Sequence, residues 1–288
     1  MNFFLFFSVF VLGTLIGSFL NCIIYRLEKE ESFLKGRSYC PNCKHSLSWP
    51  DLIPVLSFLS LNRKCRYCGK PISWQYPLVE IFTGIIFVLI FASQLPLMGS
   101  SGFFSNQIIF EEFLIFSSQN WLNLSYLIII SCFLIVIFVY DLKYLLIPDL
   151  IIYLAIGITL LYRLLDIWIF NQLNFRLLAN PLLSAFFASL FFLTLVLVSR
   201  GKWMGTGDIY LAFLMGIILG WPNVLLALML AFFIGAIIGL GLIAGKKKSL
   251  KSEIPFGPFL VIGTFLAIFF GQSIIGWYLN LCLFCSFV

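Results

Sequence analysis

Phe3–Tyr25 runs for 23 residues without one charged side chain, and this feature removes most folds from consideration. A helix needs about 20 mostly apolar residues to cross the hydrocarbon core of a bilayer. Comparable runs recur near 77–98, 122–140, 149–169, 181–199, 204–221, 223–244 and 258–282, separated by charged or Pro/Gly-rich breaks. The expected fold is an all-α polytopic membrane protein with about eight transmembrane helices. Composition agrees: 61% of residues are hydrophobic and 10% charged, against roughly 45–50% and about 25% in soluble domains. Water cannot be the main solvent of such a chain. The net charge of +6 is too small against so much apolar sequence to suggest a nucleic-acid partner; the lipid bilayer is the expected one. A cleaved signal peptide would also open on an apolar run. Here no basic segment precedes the run, and the run exceeds the usual stretch of about 7–15 residues, so an uncleaved anchor is expected.

The sixth segment is the weakest. Asp208 interrupts it, and the uncharged part, Ile209–Trp221, is too short to cross alone, so it starts before Asp208 or is re-entrant. Trp221-Pro222-Asn223 then reads as a tight turn, because Pro cannot continue the preceding helix. Eight crossings divide the loops into two sets. Loops 26–76, 141–148, 200–207 and 245–257 hold sixteen Lys and Arg, nine of them in 26–76, whereas the other set holds only Arg163 and Arg176. The positive-inside rule therefore places the first set in the cytoplasm and both termini outside. The Phe103–Trp121 stretch, with Glu111 and Glu112 and no Lys or Arg, falls outside.

Four of the eight cysteines form two pairs in the basic loop, Cys40-Pro-Asn-Cys43 and Cys65-Arg-Tyr-Cys68. Each pair brings two thiolates to one metal from a tight turn, helped by Pro41 and Gly69, and two such turns close a structural zinc site. Two disulfides are the alternative, but disulfides rarely persist in a reducing cytoplasm. Zinc is the stronger reading. The loop is then a small zinc-binding cytoplasmic domain whose basic residues face headgroups or an anionic ligand. His45 would be a fifth donor and reads as a solvated loop residue. Cys282 and Cys285 repeat the spacing without a partner pair, so packing is expected there, as for Cys22 and Cys132 within spans.

Ionisable residues in spans are costly and point to function. Glu80 lies near the cytoplasmic end of the second span, Asp141 closes the third, Asp149 opens the fourth, Asp166 lies near the fourth's outer end and Asp208 near the start of the sixth. Asp166 has an ordinary role beside Arg163, three positions away on one helix face. Asp149 follows Pro148 at a helix start, where an N-cap accounts for it. Asp141 and Asp208 have no such account. Asp208 follows the flexible turn Gly205-Thr206-Gly207, and both acids lie at cytoplasmic ends of different spans. Two carboxylates at one depth can share a proton, one taking it from water and the other polarising a peptide carbonyl. A transporter using the same acids as a proton relay remains the alternative, and a non-catalytic scaffold that recruits a partner through its zinc loop is a third reading.

The motifs together resemble the bacterial type IV prepilin peptidases, which are GxGD-type intramembrane aspartyl proteases. The resemblance rests on Gly17-Ser18-Phe19-Leu20-Asn21 with Tyr25-Arg26, both Cys-x-x-Cys pairs, Asp51-Leu52-Ile53-Pro54, Tyr76-Pro77-Leu78-Val79-Glu80, Asp141 with Ile147-Pro148-Asp149, Gly205-Thr206-Gly207-Asp208, and Ile254-Pro255-Phe256-Gly257-Pro258. It implies that Asp141 and Asp208 are the catalytic pair, supported by Asp149, Gly205 and Gly207. It implies a protease domain over 122–288. It also implies an N-terminal part, 1–98, associated with S-adenosylmethionine-dependent methylation of the new N-terminal amine, usually of a Phe, with Glu80 a candidate there. The implied substrates are prepilins and type II secretion pseudopilins, and the implied location is the bacterial inner membrane, with both termini periplasmic and the site near the cytoplasmic face. One departure stands out: members commonly carry Gly two residues before the third Cys, and this chain carries Arg63.

Overall fold

The computed structural model describes residues 2–32, 36–94, 118–170, 176–202, 204–245 and 254–285. Expectations on the end of the second span at 95–98, on Glu111 and Glu112, and on Lys246, Lys247, Lys248 and Lys251 lie outside the described residues, as do the side chains of Cys282 and Cys285. The described residues form helices and two isolated antiparallel bridges, Tyr39 with Ser46 and Lys64 with Pro71, with no strand among them. Seven helices are long and apolar enough to cross a membrane, and one further apolar helix, Gly207–Leu219, is shorter. The chain divides into two compact units, Met1–Val136 and Ile137–Val288.

In the first unit, α1 (Asn2–Glu28) packs on α3 (Gln75–Gln94). Gly13 and Gly17 stand four apart on one face of α1, and a Cβ on either would fall within 3.0 Å of the backbone of Gly84 or Glu80. Between helices in lipid the attraction comes from close van der Waals packing, which small residues permit. Asn21, buried at the same interface, donates from Nδ2 to the Tyr76 carbonyl at 3.1 Å. The loop between these helices carries a short 3-10 turn, Trp49–Leu52, and a five-residue helix α2, Leu56–Ser60.

Helix α4 (Ser118–Tyr144) runs from the first unit into the second. It stops where Leu145 adopts φ +57 and donates its N–H to the Asp141 carbonyl, a left-handed C-terminal stop of the kind that closes many helices. Pro148 then fixes the start of α5 (Asp149–Phe170). Its carbonyl accepts from the N–H groups of Ile151 and Ile152, so Pro148 holds the cap position. The expected cap, Asp149, is instead the first helical residue, exposed and placed where the helix dipole favours an anion.

The remaining helices are α6 (Arg176–Ser199), α7 (Gly207–Leu219), α8 (Asn223–Ala244) and α9 (Gly257–Cys285). Helix α7 lies antiparallel against α6: Gly216 leaves no room for a Cβ beside Ala185, and Gly220 faces Asn180. Continuing that pairing sets Asp208 level with about residue 193 of α6, which runs on to Ser199. At about 1.5 Å per residue, Asp208 is sunk about 10 Å below the end of α6. The 13 residues of α7 span only about 20 Å, and length is missing at both ends, since Gly220 stands opposite Asn180, four residues inside α6.

Candidate active site and metal centre

In the second unit the structure brings Asp141 and Asp208 together. Both are buried, with 5% and 7% of their surface exposed, and they lie within coulombic reach of each other. The Asp141 carboxylate lies beside the backbone N–H of Gly257, and that of Asp208 beside the backbone N–H of Gly205. Between them sits Ile147. A Cβ on Gly207 would lie 3.0 Å from Ile147 Cβ, and one on Gly257 would lie 3.6 Å from Ile147 Cδ1 and 2.5 Å from Asp141 Oδ2. The loop 145–148 is thus wedged between the start of α7 and the start of α9: a side chain at Gly207 would press on Ile147, and one at Gly257 on Asp141. Phe256 anchors the second of them, its ring 4.9 Å from that of Phe232 and 6.0 Å from that of Phe192. Asp149 stands outside this cluster, exposed at the head of α5.

Gly257→Ala tests the fit directly. A methyl group 2.5 Å from Asp141 Oδ2 has to displace the carboxylate or the backbone that bonds it. Misplacement of a reacting group by about 1 Å can cost on the order of 10²-fold in rate. The expected result is a loss of that size in peptide cleavage per folded molecule, read by following product formation with equal amounts of membrane-inserted enzyme.

In the first unit, the sulfur atoms of Cys40, Cys43, Cys65 and Cys68 all lie within 4.8 Å of one another. The Cys40 and Cys68 sulfurs are 3.9 Å apart, close to the roughly 3.8 Å edge of a tetrahedron with 2.3 Å zinc–sulfur bonds and far from the roughly 2.05 Å of a disulfide. The two turns have one pattern. The first cysteine donates its N–H to the carbonyl five residues on, His45 or Lys70, and its own carbonyl accepts from the residue four on, Lys44 or Gly69. Those two residues have φ +60 and +68. Burial pushes the Cys40 thiol up, but the N–H groups of Cys43 and Asn42 more than offset it and bring the pKa to about 7. Donors aimed at a sulfur stabilise a thiolate, the form that binds metal. The four thiols fit a structural zinc ion. His45 stays outside the cluster, exposed, its ring tilted by 36° against that of Tyr67 with centroids 3.8 Å apart.

Asp51, between the cysteine pairs, binds Arg66 Nε through Oδ1 at 2.8 Å and accepts from Ser48 N–H, Ser48 Oγ and Tyr67 Oη through Oδ2. Burial pushes its carboxyl up, but these donors and the Arg66 guanidinium hold it below the usual carboxylate value.

Glu80, buried at the start of α3, accepts the Val55 N–H at 2.7 Å. Val55 has φ 60 and ψ −49, and the Leu56 N–H reaches back to the Pro54 carbonyl. This is a γ-turn of the rare positive-φ kind, centred on a β-branched residue that strongly disfavours it. The carboxylate holds a strained loop. Arg63 also has positive φ, at +61. Its guanidinium lies 4.8 Å from the centre of the Trp74 ring, and its carbonyl accepts from Ile72. A glycine suits that position because of its backbone, so the arginine replaces no functional side chain.

Sequence reasoning used Arg163 only to give Asp166 an ordinary interfacial place beside it. The structure commits its guanidinium elsewhere: Nε and Nη2 donate to the Ile217 carbonyl at 3.3 and 3.0 Å, and Nη2 donates to the Ile218 carbonyl at 2.7 Å. The signal was an arginine inside an apolar helix, followed by a span too short to place its own end in water.

Comparison with known proteins agrees with this geometry. Residues 11–94 match the bacterial peptidase A24 N-terminal domain, and residues 128–240 match the type IV leader peptidase family. The prepilin leader peptidase/N-methyltransferase of Aeromonas hydrophila is 30% identical, over 96% of this chain and 94% of that protein. The protein of the same name from Legionella pneumophila is 30% identical over 96% and 95%, and that from Bacillus subtilis (strain 168) 28% over 96% and 98%. No solved structure matches the chain. With two domain matches in order and relatives aligned almost end to end, on an all-helical scaffold of apolar spans, the chain belongs to the type IV leader peptidase family.

Proposed function

We propose that this protein cleaves the leaders of type IV prepilins and type II secretion pseudopilins at the cytoplasmic face of the bacterial inner membrane and then N-methylates the new N-terminal residue. The observation that carries the reading is the convergence of buried Asp141 and Asp208, each beside a glycine N–H, where the 145–148 loop packs against the starts of α7 and α9. One aspartate, ionised, takes a proton from water as its oxygen attacks the scissile carbonyl. The other, protonated, gives its proton to the carbonyl oxygen; as the C–N bond breaks, the leaving amine takes the proton that the first aspartate drew from water, and the second aspartate recovers its own from the diol as the new carboxyl group forms. Gly205 and Gly207 shape the turn that presents Asp208. Asp149 has a supporting place at the head of α5. Residues 122–288 form the protease part in this reading, with both termini periplasmic.

We assign methyl transfer to residues 1–98 as a whole, with a zinc ion on Cys40, Cys43, Cys65 and Cys68 as its structural core. S-adenosylmethionine supplies the methyl group. Glu80 serves this part by pinning the loop at Val55, to which it is already bonded.

Co-expression with a prepilin, followed by mass spectrometry of the pilin N-terminus, tests both activities. The expected product has lost its leader and gained 14 mass units, about one methyl group replacing a hydrogen. Methylation requires a free α-amine, so a methylated pilin should never appear without prior cleavage. A full-length prepilin after co-expression would overturn the protease reading; a cleaved product of unaltered mass would remove the methyl transfer alone.

A further inference from the structure

We propose that Arg163 is a positioning residue for Asp208, and that α5 brackets α7 at both ends to set the depth of that carboxylate. The inference rests on the proposed protease reading. A helix end leaves up to four carbonyls without partners, and in hydrocarbon no water is available to satisfy them. Arg163 lies seven residues from the end of α5, about 10 Å inside it, and three of its hydrogen bonds go to the last carbonyls of α7. Asn180 secures Trp221, two residues past the end of α7: its Oδ1 accepts the Trp221 N–H at 2.7 Å, and its Nδ2 donates to the Trp221 carbonyl at 3.1 Å.

At the other end of α7, Ile147, two residues before α5 begins, fills the space left by Gly207. The two helices run parallel, and their lengths agree. From Asp149 to Arg163, α5 rises about 21 Å; from Gly207 to Ile218, α7 rises about 16 Å. Side chains on a helix lean toward its N-terminus, so the arginine reaches back across the difference. A rigid rod held at both ends cannot slide, and Asp208 sits in its first turn. With the Arg163 bonds gone, Asn180 alone ties that end by side-chain hydrogen bonds, and α7 is looser along its axis, so Asp208 moves while the rest of the substrate-binding surface stays in place.

The test uses the full chain in membranes, with Arg163→Met and Arg163→Lys. For Arg163→Met the expected result is a fall in kcat of about 10²-fold, with KM within about twofold of the unmodified enzyme. Arg163→Lys, which keeps the charge but cannot fork onto two carbonyls, should lose about tenfold. A role confined to overall stability would lower the amount of inserted enzyme and leave kcat per molecule unchanged. A second readout does not depend on activity. In an Ile147→Cys/Gly207→Cys background the two Cβ positions lie 3.0 Å apart, near enough to cross-link on oxidation after a small adjustment. The yield, read by mass spectrometry, should fall severalfold when Arg163→Met is added. Unchanged cross-linking together with kcat within twofold overturns the proposal. If the methionine variant fails to insert, the lysine variant decides, and an unaltered kcat there overturns it too. If the unmodified enzyme cuts no prepilin, the protease reading fails, while the cross-link still judges the bracket.

Discussion

Asp208→Asn is expected to insert normally and to leave prepilin uncut. Asparagine keeps the shape of the side chain and can still meet the Gly205 N–H, but it cannot take a proton from water or hold one for the carbonyl. General acid–base catalysis contributes about 10²–10⁴-fold for a single group, and in the proposed mechanism the two groups act as one device. Asp141→Asn should therefore cost about as much as Asp208→Asn, and the double variant little more than either. Asp149→Asn should cost far less, because that side chain is exposed at a helix start and outside the cluster. Cleavage of a purified prepilin, followed against equal amounts of inserted enzyme, separates these outcomes. Full activity in Asp208→Asn would sink the protease assignment, and a greater loss at Asp149 than at Asp141 would put the wrong residue in the pair.

Replacing Cys40 and Cys43 together with Ser should release one zinc ion per chain and unfold the loop 26–76. Among the described residues of that loop beyond the first helix, the buried apolar side chains are Phe58 and the ligands Cys40 and Cys65. So small a core cannot offset the conformational entropy of about 50 residues, whereas a four-thiolate zinc site contributes about 10–16 kcal/mol of apparent binding free energy. On this reading the metal takes the place of a core. Protease digestion of the loop and metal analysis of the purified protein report the change. Acid should act in the same direction as a chelator, since protons compete with zinc for the thiolates. A purified protein that carries no zinc, with all four cysteines open to thiol reagents before any chelator is added, would remove the metal from the account.

The spans were legible because a run such as Phe3–Tyr25 depends only on the absence of charge. The cysteine turns were legible because their spacing fixes local geometry, down to the matching bonds of Cys40 and Cys65. Asp141 and Asp208 could be named as acids without an ordinary role, but their meeting depends on Ile147, whose shape matters only once two glycines close on it. Helical spacing offered Arg163 only as the neighbour of Asp166, and its bonds to carbonyls 54 and 55 positions away could not be read from that spacing. Arg63 and Val55 carry their information in positive φ angles, which no side-chain pattern reveals. Glu80 read as a membrane-end acid, and only the folded chain gives it the Val55 N–H.

The short α7 also sets a demand on whatever the enzyme cuts. A carboxylate sunk about 10 Å below the end of α6 can meet only a peptide bond at the same depth. A helical substrate would hide its carbonyls in its own hydrogen bonds there, while an extended strand covers 10 Å in about three residues. A substrate should therefore need about three residues of readily extended chain beside the scissile bond, and lengthening the helical propensity of that stretch should slow cleavage even when every contact with the rest of its hydrophobic segment is kept.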